Sequence, residues 1–294
     1  MTFGLPFPKA GHVTDHGIGD VSDTALWIAA YRARETERPG ALFQDPLAGR
    51  LAGDRGRDIA RKMTGAAQFE WMTVVRTVVI DRYLQEAIAR GVDTVVNLGA
   101  GLDTRPYRMA LPPSLSWVEV DMPKIVALKD ERLAGEQPRC RLERIGADLS
   151  VDAERRAALA QSVAGARRAV VLTEGVLAYL SLEDVAKLAD DVHAQPAIGS
   201  WIVDFSAPFL NRAVRARGVE FKNAPIRNGE RDPAAFYARH GWRWTDPRFL
   251  VVEGERLGRP VPWPIWFRAV KAVLPGRAQE ALRTMLGYAL LVRA

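Results

Sequence analysis

Residues 93–105 read Asp93-Thr-Val-Val-Asn-Leu-Gly-Ala-Gly-Leu-Asp-Thr-Arg105, and this stretch decides the fold class. It begins with a short β-branched run, Thr94 to Leu98, whose composition is typical of a buried strand. Gly99 and Gly101 follow at once, and glycines placed there allow a tight turn and let a ligand approach the backbone. A second β-like run ends in Asp121, twenty residues after Gly101. A carboxylate at that distance is placed to bind a pair of ribose hydroxyls.

Two classes of cofactor use this arrangement of glycines and acid. Dinucleotide-binding proteins carry a third glycine three residues after the second, but Thr104 stands there in this chain. An NAD-dependent oxidoreductase is therefore a disfavoured alternative. S-adenosylmethionine has no pyrophosphate and needs only the first turn and the acid. A tight turn without any ligand is a further interpretation of the glycines, and the correctly spaced Asp121 favours a ligand over it.

The composition is that of an ordinary soluble globular protein. The chain has 294 residues, of which 48% are hydrophobic and 26% are charged, and it shows no repeat or linker, so we expect a single domain over residues 1–294. The net charge is +6, but the arginines are interleaved with acids, which is typical of a solvated surface and not of a nucleic-acid site. The single cysteine excludes an internal disulfide, and the four histidines stand outside metal-binding patterns. Without a long apolar run or a secretory signal pattern, we expect a cytoplasmic protein that binds neither metal, nucleic acid nor membrane; the oligomeric state stays open.

Strands and helices alternate along the middle of the chain. This alternation predicts a parallel sheet with right-handed crossovers and a site at its carboxyl edge. The predicted strands are 94–98, 117–121, about 142–145, 169–174 and 201–205, followed by two late strands, from 242 and over 287–293, that fit an antiparallel hairpin on the sheet. The predicted helices are 22–38, a restart at Pro46 capped by Asp45, 70–90, 123–133, 181–193 with Ser181 as its cap, a short helix capped by Asp232, and a helical stretch headed by residues 262–267 that runs to about 285.

Several side chains have two interpretations. Arg76 lies in an apolar helix, where a buried guanidinium is costly without an anion, so it pairs either with Asp81 or Glu86 or with a bound carboxylate. Asp148 follows the third strand and either accepts a hydrogen bond from an adenine amino group or caps the next helix. The irregular basic segment 207–231 is typical of a lid or a substrate-binding loop. For the aromatic cluster 262–267, we favour packing against the sheet over a substrate pocket.

The run Asn97-Leu-Gly-Ala-Gly-Leu-Asp-Thr-Arg-Pro-Tyr-Arg108 resembles the leucine carboxyl methyltransferase family, in particular its bacterial members, which include polyketide O-methyltransferases. Other segments match the family in the same order: Tyr31–Thr36, Phe43–Ala48, Arg76-Thr77 with Asp81-Arg82, Val118–Pro123, Asp148-Leu149 and Glu174–Leu180. The resemblance implies a class I, Rossmann-like α/β fold with a seven-stranded sheet that is mostly parallel and has an antiparallel last strand. It divides the domain into an N-terminal helical cap (1–90), a cofactor-binding core (91–206) and a variable substrate segment with the closing strands (207–294).

The same resemblance implies the roles of the residues that would bind S-adenosylmethionine. Gly99 and Gly101 would approach its methionine part, and Asp121 would hold the ribose hydroxyls. Arg76 and Arg32 would bind its carboxylate, and Asp148 and Leu149 would hold its adenine. Glu174 would lie beside its amino group. Arg32 departs from the family pattern, because members that methylate protein phosphatases carry lysine at this position.

The predicted reaction is methyl transfer to oxygen, with S-adenosylhomocysteine as the second product. A carboxylate acceptor is ionised at pH 7 and needs no base, whereas a phenol or alcohol usually needs one. The candidate catalytic residues are Tyr179 and Arg105 on the substrate side and His240 as a base; packing for Tyr179 and a salt bridge with Asp103 for Arg105 are the alternatives. We expect a small-molecule acceptor with a carboxylate or acidic hydroxyl, in specialised metabolism of the polyketide type. The alternatives are a protein C-terminal carboxyl methyltransferase, the oxidoreductase named above, and a non-catalytic protein that keeps the cofactor pocket.

Overall fold

A seven-stranded sheet forms the centre of the computed structural model, which describes residues 21–63, 65–210 and 232–294. The strands are β1 (Thr94–Leu98), β2 (Ser116–Asp121), β3 (Arg141–Gly146), β4 (Ala169–Thr173), β5 (Ile198–Ser206), β6 (Trp242–Phe249) and β7 (Leu286–Arg293). They lie in the order β3-β2-β1-β4-β5-β7-β6. The first five strands are parallel, and β7 is antiparallel to both of its neighbours. The predicted sheet is therefore confirmed.

Helices cover both faces of the sheet and one of its edges. They are α1 (Val21–Glu37), α2 (Ala48–Lys62), α3 (Ala66–Ala89), α4 (Arg105–Arg108), α5 (Pro123–Arg132), α6 (Asp152–Ser162), α7 (Leu182–His193), α8 (Pro233–Ala238), α9 (Leu250–Arg256), α10 (Ile265–Val273) and α11 (Gly276–Arg283), with a 3-10 turn at Leu177–Tyr179. In the described part of the chain, no helix has an apolar stretch long enough to span a bilayer.

The core consists of two apolar layers, one on each face of the sheet. Every residue of β1 and β4 is buried, as expected for β-branched strands at the centre of a parallel sheet. The face of α3 that carries Val75 and Val79 belongs to one layer, and the face of α7 that carries Val185 and Leu188 belongs to the other. A third cluster joins α1 to α2. Burial on this scale, at about 25 cal/mol per Å² of apolar surface, holds the strand ends in fixed positions.

Two predictions about helices are wrong. Asp45 does not cap a helix: α2 begins at Ala48, and the Asp45 carboxylate instead binds Arg32 and Thr104. The stretch from 262 to 285 is not one helical segment, because Pro275 cannot continue α10 and starts α11 instead. By contrast, Ser181 and Asp232 cap α7 and α8 as predicted, each accepting a bond from the backbone N–H three residues on. The expectation for the 207–231 loop falls for the most part outside the described residues, which omit 211–231.

Candidate active site

A cavity of about 540 Å³ opens at the carboxyl edge of the sheet, beneath the N-terminal helices. This is the edge where parallel α/β sheets bind ligands, because the loops that leave the strands diverge there. All of the cofactor-binding residues predicted from the sequence line this cavity: Arg32, Arg76, Gly99, Gly101, Asp121, Asp148, Leu149 and Glu174. The fold therefore brings together, from six separate segments, the side chains that the resemblance selected.

The turn after β1 presents its backbone to the cavity. Gly99 has φ +67° and Gly101 has φ +47°, a region in which L-residues with a Cβ are strained. The Gly101 N–H donates to Asp121 Oδ2 at 2.6 Å, and the Met122 N–H donates to Asp121 Oδ1 at 2.7 Å. Burial raises the pKa of Asp121, and these two backbone bonds oppose the shift. The carboxylate is thus fixed at the floor of the cavity by the turn itself.

Gly99→Ala is expected to weaken cofactor binding and to destabilise the fold. A Cβ at this position would lie 2.3 Å from Val176 Cγ2 and would keep the strained positive φ. The matched control is Gly91→Ala, since Gly91 has φ +88° but nothing within 4 Å of the added Cβ. The control should lose about 1–2 kcal/mol through backbone strain alone. Thermal unfolding and S-adenosylhomocysteine titration of both variants check the prediction, and equal behaviour of the two would contradict it.

A network of buried ion pairs forms one wall of the cavity. Arg105 is 2% exposed and lies 2.7 Å from each of three carboxylates, those of Asp81, Asp103 and Glu174. Arg108 forms a bidentate pair with Asp81 at 2.7 and 2.8 Å. The charges of Asp103, Arg105 and Arg108, which follow the glycine turn, are therefore neutralised within the protein. For Arg105, the salt bridge with Asp103 is confirmed, and its donors are engaged in holding the wall.

Arg76 pairs with neither of the partners proposed from the sequence. Its Nε lies 3.0 Å from Glu174 Oε1, whereas Asp81 binds Arg105 and Arg108, and Glu86 binds Arg248. The ion pair lacks hydrogen-bond geometry, so the buried Nε has no hydrogen-bond partner among the described residues. A donor left in this state at the cavity wall can bind an anionic ligand group.

Arg32 is held more firmly than Arg76. Its Nε donates to the fully buried Asp45 at 2.8 Å, and its Nη2 donates to the Leu102 carbonyl at 2.5 Å. Thr104 Oγ1 also donates to Asp45, at 2.6 Å. Thr104, which stands where a dinucleotide fingerprint has its third glycine, therefore shares Asp45 with Arg32. These hydrogen bonds fix α1 to the glycine turn.

Asp148 and Leu149 lie where the chain leaves β3. Asp148 Oδ1 accepts bonds from the Ser150 N–H at 2.9 Å and from the Ser150 hydroxyl at 2.7 Å. The residue before α6 is Val151, which makes no side-chain cap. The interpretation of Asp148 as the helix cap is thus wrong, because the carboxylate closes a turn before the helix starts.

His240 is not near the cavity, which corrects its assignment as a candidate base. It precedes β6 at the amino edge of the sheet, and its Nδ1 lies 2.7 Å from Asp190 Oδ1 on α7. The carboxyl edge, where the cavity opens, is at the other end of the strands. Tyr179 does line the cavity, and burial raises its pKa, so its hydroxyl stays protonated at neutral pH.

Two groups of residues that line the cavity were not predicted from the sequence. The first is Asp204 in β5, which lines the cavity beside Glu174. Its position near the carboxyl end of a parallel strand is the signal that identified Asp121 as a site residue, so the sequence could have revealed it. The second group forms the apolar outer wall, where the start of α3 meets residues 259–263. Two hydrogen bonds join these segments: Gln68 donates to the Pro262 carbonyl at 2.9 Å, and Trp71 donates to the Arg259 carbonyl at 2.7 Å. The lining side chains of this wall are Trp27, Ile28, Phe69, Met72, Leu210, Val261 and Trp263. Of the aromatic cluster, Phe267 is buried in the core as predicted, and Trp263 packs against the same core layer while it also lines the cavity. Trp266 is exposed.

The inner end of the cavity fits S-adenosylmethionine. The glycine turn leaves space that a Cβ would fill, Arg76 has an unpaired donor for a carboxylate, and Asp121 offers acceptors at the floor. Glu174 and the peptide after β3 complete the polar lining.

Comparison with known proteins agrees with this geometry. The model of the family described as leucine carboxyl methyltransferase matches residues 25–193. A Mycolicibacterium paratuberculosis protein named "Putative S-adenosyl-L-methionine-dependent methyltransferase" is 33% identical over 285 residues, covering 86% of this chain and 89% of that protein. A similarly named protein of Parafrankia sp. is 35% identical over 275 residues, covering 86% of each chain.

Two solved structures share the fold. A DUF574 family protein from Streptomyces avermitilis has a TM-score of 0.53 at 14% identity and covers 92% of this chain and 97% of its own. A Thermobifida fusca protein described as a "putative methyltransferase" has a TM-score of 0.55 at 15% identity, with coverage of 93% and 94%. Together with the family match over residues 25–193, the glycine turn and its acid lead to one conclusion: the chain belongs to the leucine carboxyl methyltransferase family and is an S-adenosylmethionine-dependent methyltransferase of class I fold.

Proposed function

We propose that this enzyme methylates oxygen, at a carboxylate or acidic hydroxyl of a small apolar molecule in specialised metabolism of the polyketide type. One observation carries the proposal: a single cavity joins the polar residues suited to the cofactor to a wall of aromatic and aliphatic side chains. An apolar wall with a few polar groups at one end is typical of a small-molecule site.

The residues of this chain have three tasks in such a reaction. Arg76, Asp121 and the backbone of Gly99 and Gly101 would hold S-adenosylmethionine, together with Arg32, Asp148, Leu149 and Glu174. The bound cofactor supplies a methyl group on a sulfonium with a good leaving group. Trp27, Phe69 and Trp263 would exclude water and hold the acceptor in line, and alignment alone can lower a barrier by roughly 7–11 kcal/mol.

The apolar wall favours a small molecule over a protein tail as the acceptor. An extended peptide brings a backbone N–H and C=O at each residue, and these need partners when they are removed from water. The wall is made of Ile28, Met72, Val261 and similar side chains, and Trp71 and Gln68 already bind carbonyls of the chain itself. For this reason, methylation of a protein C-terminal carboxylate is our second candidate function.

The proposal can be tested with methyl-labelled S-adenosylmethionine and the full chain. One arm offers apolar aromatic small molecules that carry a hydroxyl or a carboxyl group, and the other offers peptides that end in a free leucine carboxylate. We expect label in the small-molecule fraction and none in the peptides. Label confined to the peptides would overturn the proposal.

A control on the cofactor accompanies this experiment. S-adenosylhomocysteine at a hundred times its dissociation constant should add about 2.7 kcal/mol to the free energy of unfolding. NADH should add nothing, because Thr104 stands where the dinucleotide fingerprint has the glycine that lets helix and strand pack closely, and its hydroxyl is bonded to Asp45. Stabilisation by NADH alone would revive the oxidoreductase alternative.

A further inference from the structure

Asp204 is an acidic group in the cavity that none of the cofactor roles uses. Val203 pairs with Thr173, the last residue of β4, so Asp204 lies beside Glu174, which directly follows that strand. On its other side Asp204 pairs with Tyr288 of β7. Its Oδ1 is buried and has no hydrogen-bond partner among the described residues. Asp204, Tyr179 and Tyr288 all line the same cavity. A buried acceptor with a vacant bonding position at a cavity wall can accept a hydrogen bond from a ligand.

Charged and titratable groups surround Asp204 on several elements. Asp204 interacts electrostatically with the charges of Arg76 on α3 and Glu174 after β4. The phenols that interact with it are Tyr179 on the 3-10 turn, Tyr288 on β7 and Tyr237 on α8. Burial raises the pKa of Asp204 to about 6, and backbone bonds from Gly175 and from Asp204 itself together with Arg76 oppose the rise. Burial likewise raises the pKa of all three tyrosines, which therefore remain neutral donors.

We propose that Asp204 binds the acceptor through a hydroxyl group and removes its proton, so that the substrate class is a neutral aryl or enolic hydroxyl on an apolar body and not a free carboxylate. This inference rests on the proposed function and narrows it.

The step balances in atoms and electrons. The acceptor O–H bond breaks, its proton passes to Asp204 Oδ1, and the electron pair stays on the acceptor oxygen. That oxygen forms the new C–O bond as the methyl carbon–sulfur bond breaks, and the pair from the broken bond leaves on sulfur. Asp204 afterwards returns its proton to water. The pKa of Asp204 lies below that of a phenol but close to neutral pH, as is typical of a general base.

The charges in the cavity argue against a carboxylate acceptor. Among the described lining residues the cations are Arg32, Arg76, Arg105 and Arg108, and each already faces at least one carboxylate. In the described part of the lining, Arg76 Nε and Arg108 Nε are buried donors without a hydrogen-bond partner. S-adenosylmethionine brings its own carboxylate to Arg76, and Arg108 already forms a bidentate pair with Asp81. A second carboxylate next to Asp204 and Glu174 would be repelled, because like charges in a poorly solvated site destabilise each other. A neutral hydroxyl meets no such penalty and satisfies Oδ1.

The first experiment compares 2-naphthol with 2-naphthoic acid, which share an aromatic skeleton and differ in the acidic group. Calorimetric titrations at pH 7.5 use the full chain saturated with S-adenosylhomocysteine. We expect naphthol to bind at least ten times more tightly than naphthoate. In Asp204→Asn that preference should fall by about tenfold, since removal of the charge relieves the repulsion of naphthoate. Asp190→Asn is the matched control, because Asp190 pairs with His240 at the far edge of the sheet and should keep the wild-type preference.

The second experiment measures methyl transfer to 2-naphthol against pH. In the wild type, kcat should rise with pH, reach half of its maximum near pH 6 and then level off, as Asp204 loses its proton. Asp204→Asn should lower kcat at least a hundredfold with little change in KM and should remove this titration, while thermal unfolding shows the variant folded. The product should resist alkaline hydrolysis, as an ether does and a methyl ester does not.

The outcomes separate this inference from the proposed function. Equal or tighter binding of naphthoate, an unchanged preference in Asp204→Asn, or no transfer to naphthol would overturn the role of Asp204 and leave O-methylation of small molecules standing. Labelling of peptides alone would overturn the proposed function itself.

Discussion

Replacing Arg105 with methionine should destabilise the protein by about 3–5 kcal/mol, the cost of removing one partner from a buried ion pair. Methionine fills a similar volume but leaves Asp81, Asp103 and Glu174 without the guanidinium that holds each at 2.7 Å. The midpoint of thermal unfolding should fall by roughly 5–8 °C. Because Glu174 also faces Arg76, the loss should disorder the cofactor end of the cavity as well.

Two controls define this prediction. Arg105→Lys keeps the charge but cannot reach three carboxylates with a planar fork, so it should lose less stability than Arg105→Met. Arg167→Met removes an exposed arginine that pairs with Asp93, and such a pair contributes about 0–1 kcal/mol. A fall for Arg105→Met no larger than that for Arg167→Met would show that the network contributes nothing to stability.

The same network predicts how stability depends on pH. Burial would raise the pKa of Asp103, but Arg105, Lys129 and Arg108 overcome it and hold the pKa well below its ordinary value. Stability from this carboxylate is then fully present above the unfolded pKa of about 4 and is lost as the pH falls below it. Denaturant unfolding between pH 5 and pH 3 should show the loss in the wild type, and the slope should be shallower in Asp103→Asn.

Asp121→Ala should weaken S-adenosylhomocysteine binding at least a hundredfold, or about 2.7 kcal/mol. The substitution removes the acceptors that would hold the ribose hydroxyls, and bonds to charged groups contribute about 1.5–3 kcal/mol each. It also releases the Gly101 and Met122 N–H groups, which fix the turn. Burial raises the pKa of Asp121, so its charge is costly in the ligand-free protein and its removal should affect folding less than binding.

Asp130→Ala is the control for this experiment. Asp130 is an acid on α5 that pairs with Arg144 and is not part of the cavity lining. Calorimetric titration should give wild-type affinity for Asp130→Ala and a large loss for Asp121→Ala. Comparable affinity in the two variants would remove Asp121 from the cofactor site.

The sequence determined the sheet and the polar end of the cavity because both depend on local signals. Residues Thr94–Leu98 form β1 as predicted, since a β-branched run bounded by glycines has few alternatives. One helix and one strand lie between Gly101 and the end of β2, so the chain brings Asp121 back to the glycine turn. There the Gly101 N–H donates to the Asp121 carboxylate at 2.6 Å. The family motifs extended this reasoning to Arg76 and Glu174, which line the same cavity.

Only the tertiary structure decided which charges meet. Asp45 reads as a helix cap in the sequence, but α1 and the glycine turn bring Arg32 and Thr104 to it from 13 and 59 residues away. Arg76 meets Glu174, almost a hundred positions later in the chain, and His240 is carried to the wrong edge of the sheet by the direction of β6. Pairings of this kind depend on strand order and on helix rotation, which local composition does not encode. For the same reason, the role of Asp204 can be inferred only once β5 is placed beside β4 and β7. There the residue lines the cavity, and its buried Oδ1 has no hydrogen-bond partner among the described residues.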